Sequence, residues 1–194
     1  RTYNHVRAAK APRGESIERR PENVDSRMEP GHWEMDSVVS GRGGKAALLV
    51  LTERATRYEI AVRVPDHTSA SVVSALDRLE RRFGSREFRR LFKTITVDNG
   101  SEFSDRWGME RSWRTHWKQR TRIFYCHPYS SWERGSNEKQ NQMIRWHFPK
   151  GTNFTKISQS RIDDAVEWLN NYPRKILGWR SAGEVFREFL ASVI

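Results

Sequence analysis

The sequence predicts one α/β domain on a mixed five-stranded sheet, with elements in the order βββαβαβα and helices on its flanks. Three short β-prone runs separated only by turns, followed by alternating helical and strand-like segments, predict that order. The 194 residues, 36% hydrophobic and 30% charged, are enough for one compact core and too few for two full domains.

Residues 1–30 hold Pro12, Pro21 and Pro30, several basic groups and few apolar side chains, so they read as a basic arm or linker ahead of a core domain at 31–194. The chain opens on Arg1, which suggests a fragment with something upstream lost. The runs 32–40, 46–52 and 58–64 predict three consecutive antiparallel strands. Gly41-Arg42-Gly43-Gly44-Lys45 superficially matches a phosphate loop, but no Ser or Thr follows Lys45 and no helical pattern comes after it, so it reads as a hairpin turn. Thr68 or Ser69 caps a helix whose stripe is Val72, Val73, Leu76, Leu79 and Phe83 and which Gly84 stops. A strand at 94–97 ends on Asp98-Asn99-Gly100, a Trp- and Arg-rich helical stretch runs to about 119, and 122–126 forms the fifth strand. Helices are expected at 136–147, from a Ser158 cap through 172 with Ile162, Ala165, Val166 and Leu169 inward, and at 182–190.

Thirty-five Lys and Arg against 24 Asp and Glu leave a net charge of +11, and 27 of the 35 are arginine, which grips phosphate bidentately. A polyanion is therefore the expected partner. Arginines cluster at 78, 81, 82, 86, 89 and 90 and again at 106, 111, 114, 120 and 122, the second set interleaved with Trp107, Trp113 and Trp117. That pairing of cations with aromatics leans toward nucleic acid, although solvated helix faces with Trp113 and Trp117 in the core explain it equally well. The longest apolar run, Ala46 to Leu51, has six residues against the roughly 20 of a membrane span, so a soluble, cytoplasmic protein is expected. A lone Cys126 allows no intrachain disulfide, and no Cys or His pair has zinc-site spacing.

An acid inside a strand is disfavoured, so Asp36 needs a reason. Alternation puts Glu34, Asp36 and Val38 on one face of the first strand and Trp33, Met35 and Ser37 on the other. If the fourth strand returns beside the first, Asp36 and Asp98 become neighbours. Two close carboxylates repel unless a cation sits between them, and beside phosphodiesters that cation is Mg²⁺ or Mn²⁺. A third carboxylate on a following helix would complete a site for two ions.

Trp33-Glu34-Met35-Asp36, Thr96-Val97-Asp98-Asn99-Gly100 with Glu102-Phe103, and the stretch from His127 to Glu138 together resemble the catalytic core of DDE transposases. That last stretch, with Phe148-Pro149-Lys150-Gly151-Thr152 and Asn170-Asn171-Tyr172-Pro173-Arg174-Lys175, resembles the insertion-sequence-thirty family in particular. The likeness covers roughly residues 17–189. It implies an RNase H-like fold of retroviral-integrase type, two divalent metal ions as cofactors, DNA strand cleavage and strand transfer, and a helix-turn-helix end-binding domain upstream. It also implies transposon ends and a target duplex as partners, a homo-oligomer on DNA, and neither a membrane nor a small-molecule cofactor.

The third acid has two candidates. Asp98 to Glu133 leaves 34 intervening residues, close to the family habit, and Asp98 to Glu138 leaves 39. The family's acid stands three residues past the loop glycine, which here selects Glu138, with Glu133 the alternative. On one continuous helix these two side chains point about 140° apart, so only one faces the metals. Arg134, Asn141 and Arg145, on or near the Glu138 stripe, and Lys150 are candidate DNA contacts. Glu34, Asn99 and His127 are candidates for orienting the reacting groups. Two other readings remain: a non-catalytic nucleic-acid-binding module on the same fold, and an RNase H-like nuclease that hydrolyses without joining.

Overall fold

The computed structural model describes residues 13–128, 130 and 135–193, without the side chains of 135–139. Strands β1 (His32–Val39), β2 (Ala47–Glu53) and β3 (Glu59–Val64) pair antiparallel as a meander. After helices α2 (Ser69–Phe83) and α3 (Ser85–Leu91), β4 (Thr94–Val97) returns parallel to β1, and β5 (Arg122–Tyr125) lies parallel to β4. The sheet order is β3-β2-β1-β4-β5, so the fourth strand does neighbour the first and the fold is the expected mixed five-stranded α/β type.

Each strand's alternation selects which layer covers it. Trp33 and Met35 of β1 join Leu49, Leu51, Ile95 and Val97 in a core roofed by α2, α3 and the last helix, α7 (Ala182–Val193). Val38, Leu48 and Val50 face the other way, onto Met143, Ile144 and Phe148 of α5 (Gly135–His147) or just beyond it, and Ile162, Ala165 and Leu169 of α6 (Gln159–Asn171). Every residue of β2 is buried, which is why it reads as a continuous apolar run. The Thr68 hydroxyl caps α2 by accepting from the Ser71 N–H, and Gly84, at φ +85°, ends it.

Four expectations change. Residues 13–30 are not a linker: Ser16 bridges Tyr125 in parallel on the outer edge of β5, Tyr125 N–H donates to the Glu15 carbonyl, and Val24 of the short helix α1 (Asn23–Ser26) is buried. Covering an open sheet edge is the physical reason, and it moves the domain boundary expected after residue 30 into the folded unit. Residues 1–12 lie outside the described residues. Second, the Trp- and Arg-rich stretch is helical only in α4 (Arg106–Glu110); 111–121 is irregular. Arg120, fully buried, takes up that segment by donating to Asp77, Glu80 and the carbonyls of Gly108 and Met109. Third, Trp117 is 85% exposed and not core, while Trp113 is half-buried under the Arg81 guanidinium. Fourth, α3 and a two-residue ribbon, β6 (Pro173–Arg174) with β7 (Arg180–Ser181), had no periodic signal. No described helix is long and apolar enough to cross a membrane.

Candidate active site

The β1–β4 pairing sets His32 opposite Thr94, Trp33 opposite Ile95 and Glu34 opposite Thr96. The last paired residues are Glu34 and Thr96, and each chain carries an aspartate two residues further on, Asp36 within β1 and Asp98 one position past the end of β4. Adjacent strands lie about 4.8 Å apart, so both half-buried acids sit at the same end of neighbouring strands. Asn141 of α5 donates its amide to Asp36 Oδ2 at 2.7 Å, which docks the helix on this carboxylate. The rotation of α5 is also set one residue earlier, where buried Gln140 donates to the Arg57 carbonyl and accepts from Arg174. Glu138 stands three residues before Asn141, one turn away along the same helix face.

The loop after Asp98 is tightly held. Asp98 Oδ1 accepts from Gly100 N–H at 2.8 Å, and Asn99 donates to the Cys126 carbonyl at 2.7 Å, tying the turn to the end of β5. Glu102, almost fully buried, accepts from the Ser37 hydroxyl, and His67 Nε2 lies 2.8 Å from the same oxygen. Ser37 follows Asp36 directly, so this cluster joins the segments that carry the two aspartates. A Cβ on Gly100 would fall 2.3 Å from Glu102 Oε2 and 2.9 Å from Asp98 Oδ1, so any larger residue there must push those two carboxylates aside.

Beneath the aspartates a polar row crosses the sheet in register: Glu59, Thr52, Glu34 and Thr96. Glu34, on the Asp36 face as expected, pairs with buried Arg54, which also reaches Asp25; Arg20 joins Asp25 to Thr96. Glu34 therefore belongs to a structural ion-pair chain. Burial pushes the Glu59 carboxyl well up, reinforced by the Glu34 and Asp36 carboxylates, with the Thr52 hydroxyl and Arg174 opposing. Burial likewise pushes Arg57 down to about 10, helped by Arg27.

The other sequence candidates divide. Asn141 was expected to contact DNA, but its amide is committed to Asp36. Arg145 was expected to do the same and instead donates toward the Phe148 and Pro149 carbonyls, closing the end of α5. Lys150 is exposed in the following turn, as a DNA contact requires. Half-buried His127 lies 3.2 Å from Glu18. Glu133 and Arg134 lie outside the described residues, as does the side chain of Glu138. Among the described residues no three acidic, His or Cys side chains form a metal-holding group. His67 and Ser37 were missed because a lone loop histidine and a strand serine carry no pattern.

The family model for the integrase core domain matches residues 26–131. The chain is 35% identical over 178 residues to the transposase of insertion sequence element IS1086 from Cupriavidus metallidurans, covering 91% of this chain and 49% of that protein. It is 34% identical over 174 residues to the probable transposase of IS1161 from Streptococcus salivarius, covering 89% and 46%. With the IS30A transposase of Escherichia coli the identity is 35% over 178 residues, covering 92% and 43%. The chain thus spans about half the length of the curated relatives it matches. The matched region contains Asp36, Asp98 and all five strands of the sheet, and by that match the chain belongs to the integrase core domain family.

Proposed function

We propose that this chain is the catalytic core of a DDE transposase that cleaves DNA strands and joins them to a target, with Asp36, Asp98 and Glu138 holding two divalent metal ions. What supports the reading is that Asp36 and Asp98 each stand two residues past the paired Glu34 and Thr96 of neighbouring strands, with a helix docked on Asp36 through Asn141 and Glu138 three residues earlier on that helix. The donor set suits Mg²⁺ or Mn²⁺: carboxylate oxygens are hard ligands, and the buried Asn141 Oδ1 has no hydrogen-bond partner among the described residues. When bound, the ions would lower the pKa of an attacking water or DNA 3′-hydroxyl and stabilise the departing 3′-oxygen.

The chain's own residues supply position. Asn141 keeps the Asp36 carboxylate turned toward α5, and the Ser37–Glu102–His67 cluster holds the Asp98 loop against β1. The Glu34–Arg54–Asp25–Arg20–Thr96 chain pins β1 to β4 just below the acids, so their spacing resists change. Arginines hold phosphates without reading sequence. The substrates are transposon ends and a target duplex, engaged by a homo-oligomer on DNA.

The test is a nicking and strand-transfer assay with Mn²⁺ and pre-cut ends. Asp36→Asn, Asp98→Asn and Glu138→Gln should each abolish nicking and joining while leaving duplex binding in EDTA nearly intact. Nicking by all three variants refutes the assignment. Loss on Glu133→Gln with activity retained by Glu138→Gln moves the third acid to Glu133, and hydrolysis without joining makes the protein a nuclease.

A further inference from the structure

Along the outer edge of β3 a groove of about 730 Å³ opens, with α2 and α7 on one bank and α6 on the other. Its floor is closed to a partner strand. Glu59 N–H donates to Asn170 Oδ1 at 2.8 Å, and its carbonyl accepts from Asn170 Nδ2 at 2.9 Å. Arg63 N–H donates to Gln159 Oε1, the Ala61 carbonyl accepts from Gln159 Nε2, and the Arg63 carbonyl accepts from Arg78. Residues 59, 61 and 63 turn three N–H groups and three carbonyls outward, and five of those six are thereby occupied. An added peptide strand has almost nothing left to bond.

The groove offers side-chain charge instead. Arg63, Arg78, Arg82 and Arg187 line it, all exposed, and none of the four is in an ion pair among the described residues. Two acids face them: Glu167, and Asp163, which already accepts from Gln159 Nε2 at 2.8 Å. Glu59, at the floor, is fully buried, and burial holds its carboxyl well above the usual range. The Tyr58 ring stacks on Phe186 with centroids 4.0 Å apart, and burial pushes its phenol up, with Arg82 and Arg187 opposing and Glu167 adding. Guanidinium groups from two helices and a phenol line one groove, a combination suited to a phosphodiester oxygen. Ala61 is in register with Val50 and, through it, with Asp36, two strand spacings or about 10 Å across the sheet.

We propose that this groove is a second DNA-binding surface, seating the sugar-phosphate backbone of a duplex on Arg63, Arg78, Arg82, Arg187 and the Tyr58 hydroxyl, apart from the strand held at the acids. It rests on the transposase reading for its role and on the groove's charge for its ligand. Because the contacts are to backbone, the duplex is held without regard to sequence.

The experiment measures binding of a 30-base-pair duplex of random sequence, in EDTA, across a salt series. Changing all four arginines to Ala should reduce the slope of log K against log salt by up to about 3.6, since each lost phosphate contact removes about 0.9, and weaken binding at least about tenfold at physiological salt. Lys at all four positions should restore most of the slope. Ala at Arg19, Lys45, Lys156 and Lys175, which removes the same charge at exposed positions outside the groove, should change the slope by less than about 1. Thermal unfolding within a few degrees of wild type verifies folding of each variant. Equal slopes for the two quadruple variants, or a groove variant that binds duplex like wild type but no longer binds polyglutamate, overturn the proposal. Because no cleavage is read, failure of the catalytic assignment would appear only in the nicking assay.

Discussion

Replacing Arg54 by Met tests the ion-pair chain under the candidate acids. The Arg54 guanidinium bridges fully buried Glu34 and Asp25, and the same Asp25 oxygen takes Arg20. Methionine fills the volume of the stem and removes the charge. Removing one partner of a buried ion pair costs about 3–5 kcal/mol, because the other charge stays desolvated. The lower end applies here, since the Asp25 side chain is 67% exposed and can be rehydrated. A loss of about 3 kcal/mol corresponds to a fall in Tm of about 6–12 °C for a chain of this size. Urea unfolding followed by tryptophan fluorescence and circular dichroism measures it. Adding Glu34→Gln to the variant should recover about half the loss, because no buried carboxylate then remains beside the missing cation. A loss under about 1 kcal/mol, or no recovery in the double variant, would refute the view that this pair holds β1 and β4 in register.

Gly100→Ala should keep the fold, since φ is −58° there, yet reduce metal-dependent nicking at least tenfold because the new methyl displaces both Glu102 and Asp98; unchanged nicking would mean the loop geometry is immaterial. Glu59→Gln should stabilise the protein increasingly as pH rises. The folded carboxyl holds its proton above the unfolded pKa of about 4.5, so wild-type stability falls with pH from there up through the raised folded pKa, while the Gln variant escapes that slope. Parallel denaturation curves for the two proteins between pH 4 and 8 would contradict this. Asn170→Leu leaves the Glu59 N–H and carbonyl without their amide partner at a cost of about 2–4 kcal/mol, and light scattering should report edge-to-edge association through β3.

Much of the fold was legible in local pattern. The period-2 alternation of β1 assigned Trp33 and Met35 to one layer and Val38 to the other, and of the two cap positions open for α2, Thr68 and Ser69, the first is the cap, with Gly84 the stop. Where side chains far apart in sequence decided the backbone, the reading broke down. Arg120 reaches back to Asp77 and Glu80, and that burial holds 111–121 out of the helix its composition suggested. Residues 13–30 looked unstructured because their apolar content is low; they are ordered by main-chain pairing with the edge of β5 and by Arg20 and Asp25, neither of which depends on hydrophobic periodicity.

For the candidate site the division is similar. Asp36, Asp98 and Glu138 could be named from motif, and the strand order that makes the first two neighbours followed from connection rules. The register of β1 on β4 up to Glu34 and Thr96, the commitment of Asn141 to Asp36 and the Ser37–Glu102–His67 cluster came only with the tertiary structure. Periodicity and capping are local properties of a chain, whereas register between β1 and β4 depends on pairing residues 62 positions apart, as in His32 with Thr94, and on how helices pack over them.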